Sequence, residues 1–138
     1  MEQQIEALIG YKTLSVGLTT VQEIFGHSGR LTREGATFHV EGSWEGEKVI
    51  YLHPEDIETV LNKFLTGLTS SAELQEWANF LIMCDAYEVA PHIKMGIKEA
   101  MLEILHGVAS PEINRPLNNR TVQSYLRHLR RKFSGDAD

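Results

Sequence analysis

Apolar residues recur at helical spacing through most of the chain after His53. Pro54 suits the first position of a helix, and Glu55 and Asp56 lie where the positive end of a helix dipole favours anions. The apolar positions that follow have the i, i+3, i+4 spacing of one helix face: Ile57, Val60, Leu61, Phe64 and Leu65. Gly67 then provides a C-terminal stop. The pattern predicts a helix that begins at Pro54, ends just before Gly67 and buries one face.

A second helix is predicted immediately afterwards. Ser70 and Glu73 have the spacing of a capping box, in which each side chain accepts a hydrogen bond from the backbone amide of the other residue. The apolar stripe then continues over two turns at Leu74, Trp77, Ala78, Leu81 and Ile82. Because Trp77 lies within this stripe, it is expected to be a core residue. The two helices should form a hairpin with a short connection.

A third helix is predicted after an interruption between residues 85 and 91. From His92 onward, apolar residues again recur at helical spacing: Ile93, Ile97, Ala100, Met101, Ile104, Leu105 and Val108. Gly107 and Pro111 are expected to end this helix, because glycine is common just beyond a helix and proline cannot continue one.

The last helix is predicted after the segment PEINRPLNN, residues 111–119. Its two prolines lack an amide hydrogen and disfavour helix at the preceding residue, so this segment is expected to be a connection. Asn118 or Asn119 can cap the helix that follows. The apolar stripe of that helix is Val122, Tyr125, Leu126, Leu129 and Phe133. We expect this stripe to close the core against the preceding helices.

The N-terminal region contains two β-prone runs. ATFHVEG (36–42) and EKVIYL (47–52) flank residues 43–46, which predicts a β-hairpin with a four-residue loop. A two-stranded ribbon is marginal alone, so it should pack on the helices or gain a third strand from YKTLSV, residues 11–16. Thr19–Phe25 is expected to be a short helix. The predicted fold class is mainly helical α+β, with a β-hairpin or a three-stranded sheet packed on about four or five helices.

Length and composition favour one globular domain. The chain has 138 residues, of which 42% are hydrophobic, and this is enough to close a core. We expect residues 1–138 to form a single domain. Within it we expect a β-hairpin region with short helices in 1–52, a helical region in 53–133 and a frayed tail at 134–138.

The sequence favours a cytoplasmic protein. It has no apolar run of membrane-spanning length and no segment that resembles a secretory leader. Cys84 is the only cysteine, so no internal disulfide can form, and a reducing compartment is expected. Because Cys84 follows the apolar run FLIM, it is expected to be a buried or half-buried hydrophobic residue, not a nucleophile.

Charge is divided unevenly along the chain. The formal net charge is −6, but residues 1–112 carry seven Lys and Arg against seventeen Asp and Glu. Residues 113–133 carry six basic residues and no acidic one. Such a division can mark a binding arm, or it can reflect two faces of one domain that pair internally. We favour internal pairing.

The sequence contains no recognisable catalytic, cofactor or metal motif. No histidine pair has the i, i+4 spacing of a zinc-binding helix. The glycines at positions 26, 29 and 35 do not form a phosphate-binding loop, and there is no GxSxG nucleophile elbow. No catalytic, cofactor-binding or metal-binding residues are therefore predicted. An enzyme would have to assemble its site from separated residues.

Acidic residues cluster around the predicted hairpin and the start of the first predicted helix. Trp44 lies among them at a predicted loop tip, where burial is difficult, and tryptophan is typical of interface anchors. An acidic surface would steer a cationic partner toward this site. The predicted partner-binding residues are Glu41, Trp44, Glu45, Glu47, Glu55, Asp56 and Glu58. The expected partner is a basic protein and not a membrane.

The basic C-terminal helix supports an alternative. Its polar face is expected to carry Arg120, Arg127, Arg130 and Arg131. Such a face is available for phosphate contacts, which would make the protein a small nucleic-acid-binding regulator or antitoxin. Alternatively, the cations near the end of the helix complement its negative dipole end and pair with the acidic body.

The segments IYLHPEDIETVLNKFLTGLTSSAELQEWANFLI and LEILHGVASPEINRPL resemble small bacterial proteins, many of them uncharacterised, some of which are placed among toxin-immunity proteins. The matching features are the helix that ends in LTG, the SSAELQEWA capping box with its tryptophan, and the SPEINRPL break. The resemblance implies an immunity role. Toxin nucleases are often basic, which is compatible with the acidic patch. The working hypothesis is a protein-binding inhibitor that neutralises a basic cognate toxin, with the nucleic-acid-binding regulator as the alternative.

Overall fold

The computed structural model of the protein describes residues 2–25, 31–34, 37–40, 50–84, 86–111 and 116–133. Within these ranges there are six α-helices and four short β-strands. The helices are α1 (Glu2–Tyr11), α2 (Leu18–Phe25), α3 (Pro54–Leu65), α4 (Ser71–Met83), α5 (Met95–Ala109) and α6 (Asn119–Phe133). The strands are β1 (Leu31–Glu34), β2 (Thr37–Val40), β3 (Ile50–Leu52) and β4 (Tyr87–Val89). The predicted mainly helical α+β class is confirmed.

The predicted hairpin of α3 and α4 is confirmed, and its turn depends on Gly67. This residue adopts a φ of 83°, in the left-handed region that glycine tolerates best. The turn lets the backbone amide of Leu68 donate to the carbonyl oxygen of Lys63 at 2.8 Å. Carbonyl groups at the end of α3 are thereby satisfied, as in the usual glycine-terminated helix.

The predicted capping box starts α4. The backbone amide of Glu73 donates to Oγ of Ser70 at 3.1 Å, and the amide of Ser70 donates to Oε1 of Glu73 at 2.9 Å. The hydroxyl of Thr69 donates to the same carboxylate oxygen at 3.1 Å. The hydrogen bond from the Ser70 amide, followed by that from Thr69, lowers the pKa of Glu73 from its ordinary value. The first turn of α4 is therefore fixed by side chains close in sequence.

The core forms where α5 packs against α4 and α6, and α6 also packs against α3. Its largest fully buried side chains include Ile57, Leu74, Trp77, Met101, Ile104 and Leu129. The prediction that Trp77 is a core residue is confirmed, and its indole Nε1 donates to the carbonyl oxygen of Lys12 at 3.0 Å. Cys84 is also buried, as predicted.

The boundaries of α5 differ from those predicted. The helix begins at Met95 and continues through Gly107 to Ala109, so the prediction that Gly107 ends it is wrong. Gly107 is instead a packing position, because the side chain of Tyr125 on α6 occupies the space that a Cβ atom would need. At the start of α6, Asn118 is the cap, since its Oδ1 accepts a hydrogen bond from the Thr121 amide at 2.9 Å.

Strand pairing also differs from the prediction. Thr37–Val40 pairs antiparallel with Leu31–Glu34, whereas Ile50–Leu52 pairs in parallel with Tyr87–Val89. The predicted pairing of residues 36–42 with 47–52 is thus not seen in the described parts of these runs, and the predicted loop at 43–46 lies outside them. The parallel partner arrives only after α3 and α4, and no local sequence signal specifies such a distant pairing.

The predicted third strand at residues 11–16 is replaced by the end of α1 and a series of turns. Lys63 fixes these turns, because its Nζ donates to the carbonyl oxygens of Thr13 and Leu14 at 2.9 and 3.2 Å. The helix α1, which is not predicted from the sequence, contributes buried side chains to the core. The helix predicted at Thr19–Phe25 is confirmed as α2. None of the described helices is long and apolar enough to span a membrane.

Candidate partner-binding site

The predicted acidic patch is only partly within the described chain. Glu41, Trp44, Glu45 and Glu47 lie outside the described residues. Glu55, Asp56 and Glu58 lie in the first two turns of α3. Of these three, Glu55 has an exposed side chain, whereas Asp56 and Glu58 form ion pairs within the chain. Asp56 and Glu58 therefore contribute to the fold, whereas Glu55 is available to a partner.

Asp56 organises the junction between β3 and α3. Its carboxylate accepts a hydrogen bond from the backbone amide of His53 at 2.8 Å and lies 3.1 Å from Nζ of Lys12. The same ammonium group donates to the carbonyl oxygen of Tyr51 at 2.8 Å. Only 13% of the Asp56 side chain is exposed. Asp56 therefore fixes the start of α3 relative to Tyr51, and its carboxylate faces the chain itself more than solvent.

Glu58 connects α3 to α6. Its Oε2 accepts a hydrogen bond from Nε of Arg130 at 2.8 Å, and both side chains are partly exposed. This is the internal pairing of the acidic body with the basic helix that the charge division suggested. A partner that used Glu58 would have to compete with Arg130.

The outer face of the β3–β4 sheet carries an exposed aromatic residue opposite a carboxylate. Tyr51 is paired with Glu88 in the register of the two strands, so their side chains project from the same face. Tyr51 is 40% exposed, and Glu88 is exposed as well, whereas Ile50 and Leu52 are buried on the other face. We call these two residues, Tyr51 and Glu88, the Tyr51 face. Glu55, four residues after Tyr51 in sequence, is also exposed, in the first turn of α3.

Two histidines lie close together near this face. The ring centroids of His53 and His92 are 5.7 Å apart, with His53 half-buried and His92 exposed. In the part of the chain that the structure describes, no group of three or more His, Cys, Asp or Glu side chains could hold a metal ion. Among the described residues, the pair therefore has no further protein ligands of the kind that a structural zinc site uses.

Three of the four arginines of the alternative site, Arg120, Arg127 and Arg131, follow one side of α6 at i, i+7, i+11 spacing, and Arg130 departs from it. All four, Arg120, Arg127, Arg130 and Arg131, are exposed on α6. Arg130 lies on the side that contacts Glu58 of α3, whereas Arg127 and Arg131 line a groove between α6 and α5. Arg120 is in the first turn of α6 and does not line that groove.

Tyr51 and Glu88 are not among the site residues predicted from the sequence. A signal for Tyr51 was available, because the run IYL alternates apolar, amphipathic and apolar positions and so predicts that its middle residue points away from the core. Glu88 had no comparable signal. Residues 85–91 look like an interruption between helices until the parallel pairing is known.

The residues that resemble immunity proteins have structural roles in this chain. Ser70 and Glu73 cap α4, and Trp77 packs in the core. No family model, curated protein or solved structure matches the chain. Its function therefore has to be inferred from the geometry of its own residues.

Proposed function

We propose that the protein is a bacterial cytoplasmic inhibitor that acts by binding a basic protein, and that this partner is a toxin to which the chain confers immunity. The observation that carries the proposal is the exposed Tyr51–Glu88 pair on the outer face of the β3–β4 sheet. Tyrosine is enriched among residues that dominate binding energy, and flanking carboxylates complement a cationic surface. Glu55, exposed in the first turn of α3 and four residues from Tyr51 in sequence, is a further carboxylate available to a basic partner.

The Tyr51 face is held in place before any partner binds. Lys12 bonds to the carbonyl oxygen of Tyr51 and to the carboxylate of Asp56, which links the strand to the start of α3. The backbone amide of Ile50 donates to the carbonyl oxygen of Ala86 at 2.8 Å, which fixes β3 to β4. A preorganised surface loses less conformational entropy on association, so more of its contact energy is retained as affinity.

The charge of the chain fits a basic partner. Residues 1–112, which include the whole Tyr51 face, carry a large excess of acidic over basic side chains. The basic side chains of α6 offset this excess elsewhere, as at the Arg130–Glu58 pair. An acidic surface raises the rate at which a basic protein is captured, and this helps an inhibitor act before its target does.

Inhibition through this face requires no chemical step by the chain. A bound partner would be inactive if the Tyr51 face covered the cationic surface with which that partner recognises its own substrate. Glu41, Trp44, Glu45 and Glu47 precede β3 in sequence and remain partner-binding residues predicted from the sequence.

The proposal is tested by affinity capture from a lysate of the source bacterium, treated with nuclease, followed by mass spectrometry. The bait variant Tyr51→Ser/Glu88→Lys is compared with the wild-type chain. The wild type should retain one basic protein at moderate salt, and the variant should lose it, because both the aromatic anchor and the complementary charge are removed. The purified partner should then lose its activity when the wild-type chain is added, but not when the variant is added.

The matched control is Glu99→Lys, which makes the same charge change at an exposed position on α5. It should retain the partner. Equal loss with this control would show that net charge, and not the Tyr51 face, is responsible. Retention by the Tyr51→Ser/Glu88→Lys variant would contradict the assigned face. Proteins that are captured only when the nuclease is omitted would contradict the inhibitor function. Circular dichroism of each bait confirms that it is folded.

A further inference from the structure

A groove of about 380 Å³ lies between α5 and α6, and its described lining includes neither Tyr51 nor Glu88. The α6 side is lined by Ser124, Tyr125, Arg127, His128 and Arg131. The α5 side contributes Glu103 and Ile104. The groove is of the size at which small-ligand pockets begin, roughly 300 Å³, and its wall on α6 is mainly polar and cationic.

The cations are arranged by the period of α6. Ser124, Arg127 and Arg131 are spaced i, i+3, i+7, so they lie along one face of the helix. The adjacent face is fixed in the core through Val122, Leu126 and Leu129. Arg127 and Arg131 are one turn apart, about 6 Å along the axis, so both guanidinium groups can reach one anionic group.

The chemistry of this wall suits a phosphate. A guanidinium group donates parallel hydrogen bonds that match the oxygens of a phosphate, and the hydroxyl of Ser124 can add another donor. The ring of Tyr125 adds an aromatic wall, and it is positioned over Gly107, where no Cβ atom displaces it. Phosphate donors beside an aromatic wall in a groove of this size fit a single nucleotide unit.

Of the described residues that line the groove, Glu103 is the one whose charge opposes an anion. Its Oε1 lies 2.9 Å from Nε2 of His128, and its side chain is 69% exposed. A pair this exposed adds little stability, so Glu103 can turn toward solvent at small cost when an anion enters. Its charge would nevertheless weaken anion binding.

We propose that the α5–α6 groove binds the phosphate group of a nucleotide, with Arg127 and Arg131 as the main ligands and Glu103 as a built-in antagonist. The nucleotide is either free or part of a single strand, since both present the same group. This site is separate from the Tyr51 face in residues and in charge, so it does not depend on the inhibitor function.

The test is a titration of the full-length chain at low salt with three probes: inorganic phosphate, adenosine monophosphate and a short single-stranded oligonucleotide. Calorimetry gives the affinity, and amide chemical shifts show whether α5 and α6 respond. Saturable binding of the mononucleotide is expected. Arg127→Gln and Arg131→Gln should each weaken it about tenfold, the effect typical of losing a charged hydrogen bond. Glu103→Gln should tighten it.

The opposite signs of these effects distinguish a site from general damage to the fold. Arg120→Gln is the matched control, because it makes the same charge change on the same helix outside the groove. It should leave mononucleotide affinity nearly unchanged. If it weakens only the oligonucleotide, the natural source of the phosphate is a strand that follows α6.

Three results would overturn the proposal. The first is no saturable binding by any probe. The second is an equal loss of affinity with Arg120→Gln and Arg127→Gln, which would indicate diffuse attraction to the helix as a whole. The third is an unchanged or weaker affinity with Glu103→Gln. Thermal melting of every variant is recorded. If Arg131→Gln disturbs folding, Arg127→Gln, a change at an exposed side chain, still tests the site.

Discussion

The two flanks of α6 use the same kinds of side chain for different purposes. On the α3 flank, Arg130 is bonded to Glu58 at 2.8 Å. On the α5 flank, Arg127 and Arg131 line an open groove. Arg130 is three residues from Arg127 and one residue from Arg131 in sequence, and what differs is the helix that each one faces. The role of a charged residue is therefore set by its neighbour across the interface.

The difference between the flanks extends to how closely the helices fit. At the α5 flank a glycine allows the Tyr125 side chain to lie directly on the backbone of α5. The α3 flank has no such contact among the described glycines, and an ion pair closes its outer edge. The α5 flank should therefore be sensitive to added volume, whereas the α3 flank should be sensitive to salt.

The largest expected effect comes from truncating a core side chain of α6. Leu129 is fully buried, so Leu129→Ala leaves a cavity and should lower the free energy of unfolding by about 3 kcal/mol. The control is Leu102→Ala on α5, where the same atoms are removed from a partly exposed side chain and the loss should be below about 1 kcal/mol. Urea unfolding followed by circular dichroism measures both. Similar losses would show that α6 is not anchored through Leu129.

The next effect tests the close packing of Tyr125 on α5. The change in stability caused by Gly107→Ala should reverse its sign when Tyr125 is removed. Gly107→Ala should destabilise the chain by about 1 kcal/mol or more, because the new methyl group forces Tyr125 out of its position. In a Tyr125→Ala background the clash is absent, and the higher helix propensity of alanine should stabilise the chain by up to about 1 kcal/mol. Urea unfolding of the two single variants and the double variant measures both effects. Stabilisation by Gly107→Ala in the wild-type background would mean that Tyr125 moves away freely.

These contrasts show which features could be predicted from the sequence. The ends of α3 and α4 could, because Gly67 and the Ser70–Glu73 capping box act on residues a few positions away. Gly107 could not, since its local pattern looks like a helix stop and only the Tyr125 contact explains it. Local signals specify local structure.

The sheets and the candidate site were harder to predict for the same reason. The run at residues 50–52 was recognised as a strand, but its partner at 87–89 lies beyond two helices. The predicted site included Glu55 but not Glu88, whose place beside Tyr51 follows from that pairing. The predicted site also included Asp56 and Glu58, which pair with Lys12 and Arg130. In the sequence, an acid that pairs within the chain looks the same as one that binds a partner.

The smallest expected effect tests the ion pair on the α3 flank. A double-mutant cycle of Glu58→Gln and Arg130→Gln should give a coupling free energy of about 0.5 kcal/mol, because both side chains are partly exposed and solvent screens their attraction. The coupling should decrease as salt is added, since ions screen exposed charges over about 10 Å at moderate ionic strength. Glu55→Gln combined with Arg130→Gln is the matched control and should show a smaller coupling, because the Arg130 side chain donates its hydrogen bond at 2.8 Å to Glu58. A coupling that is large and independent of salt would mean that the pair is effectively buried, and the α3 flank would then resemble the packed α5 flank more than the structure indicates.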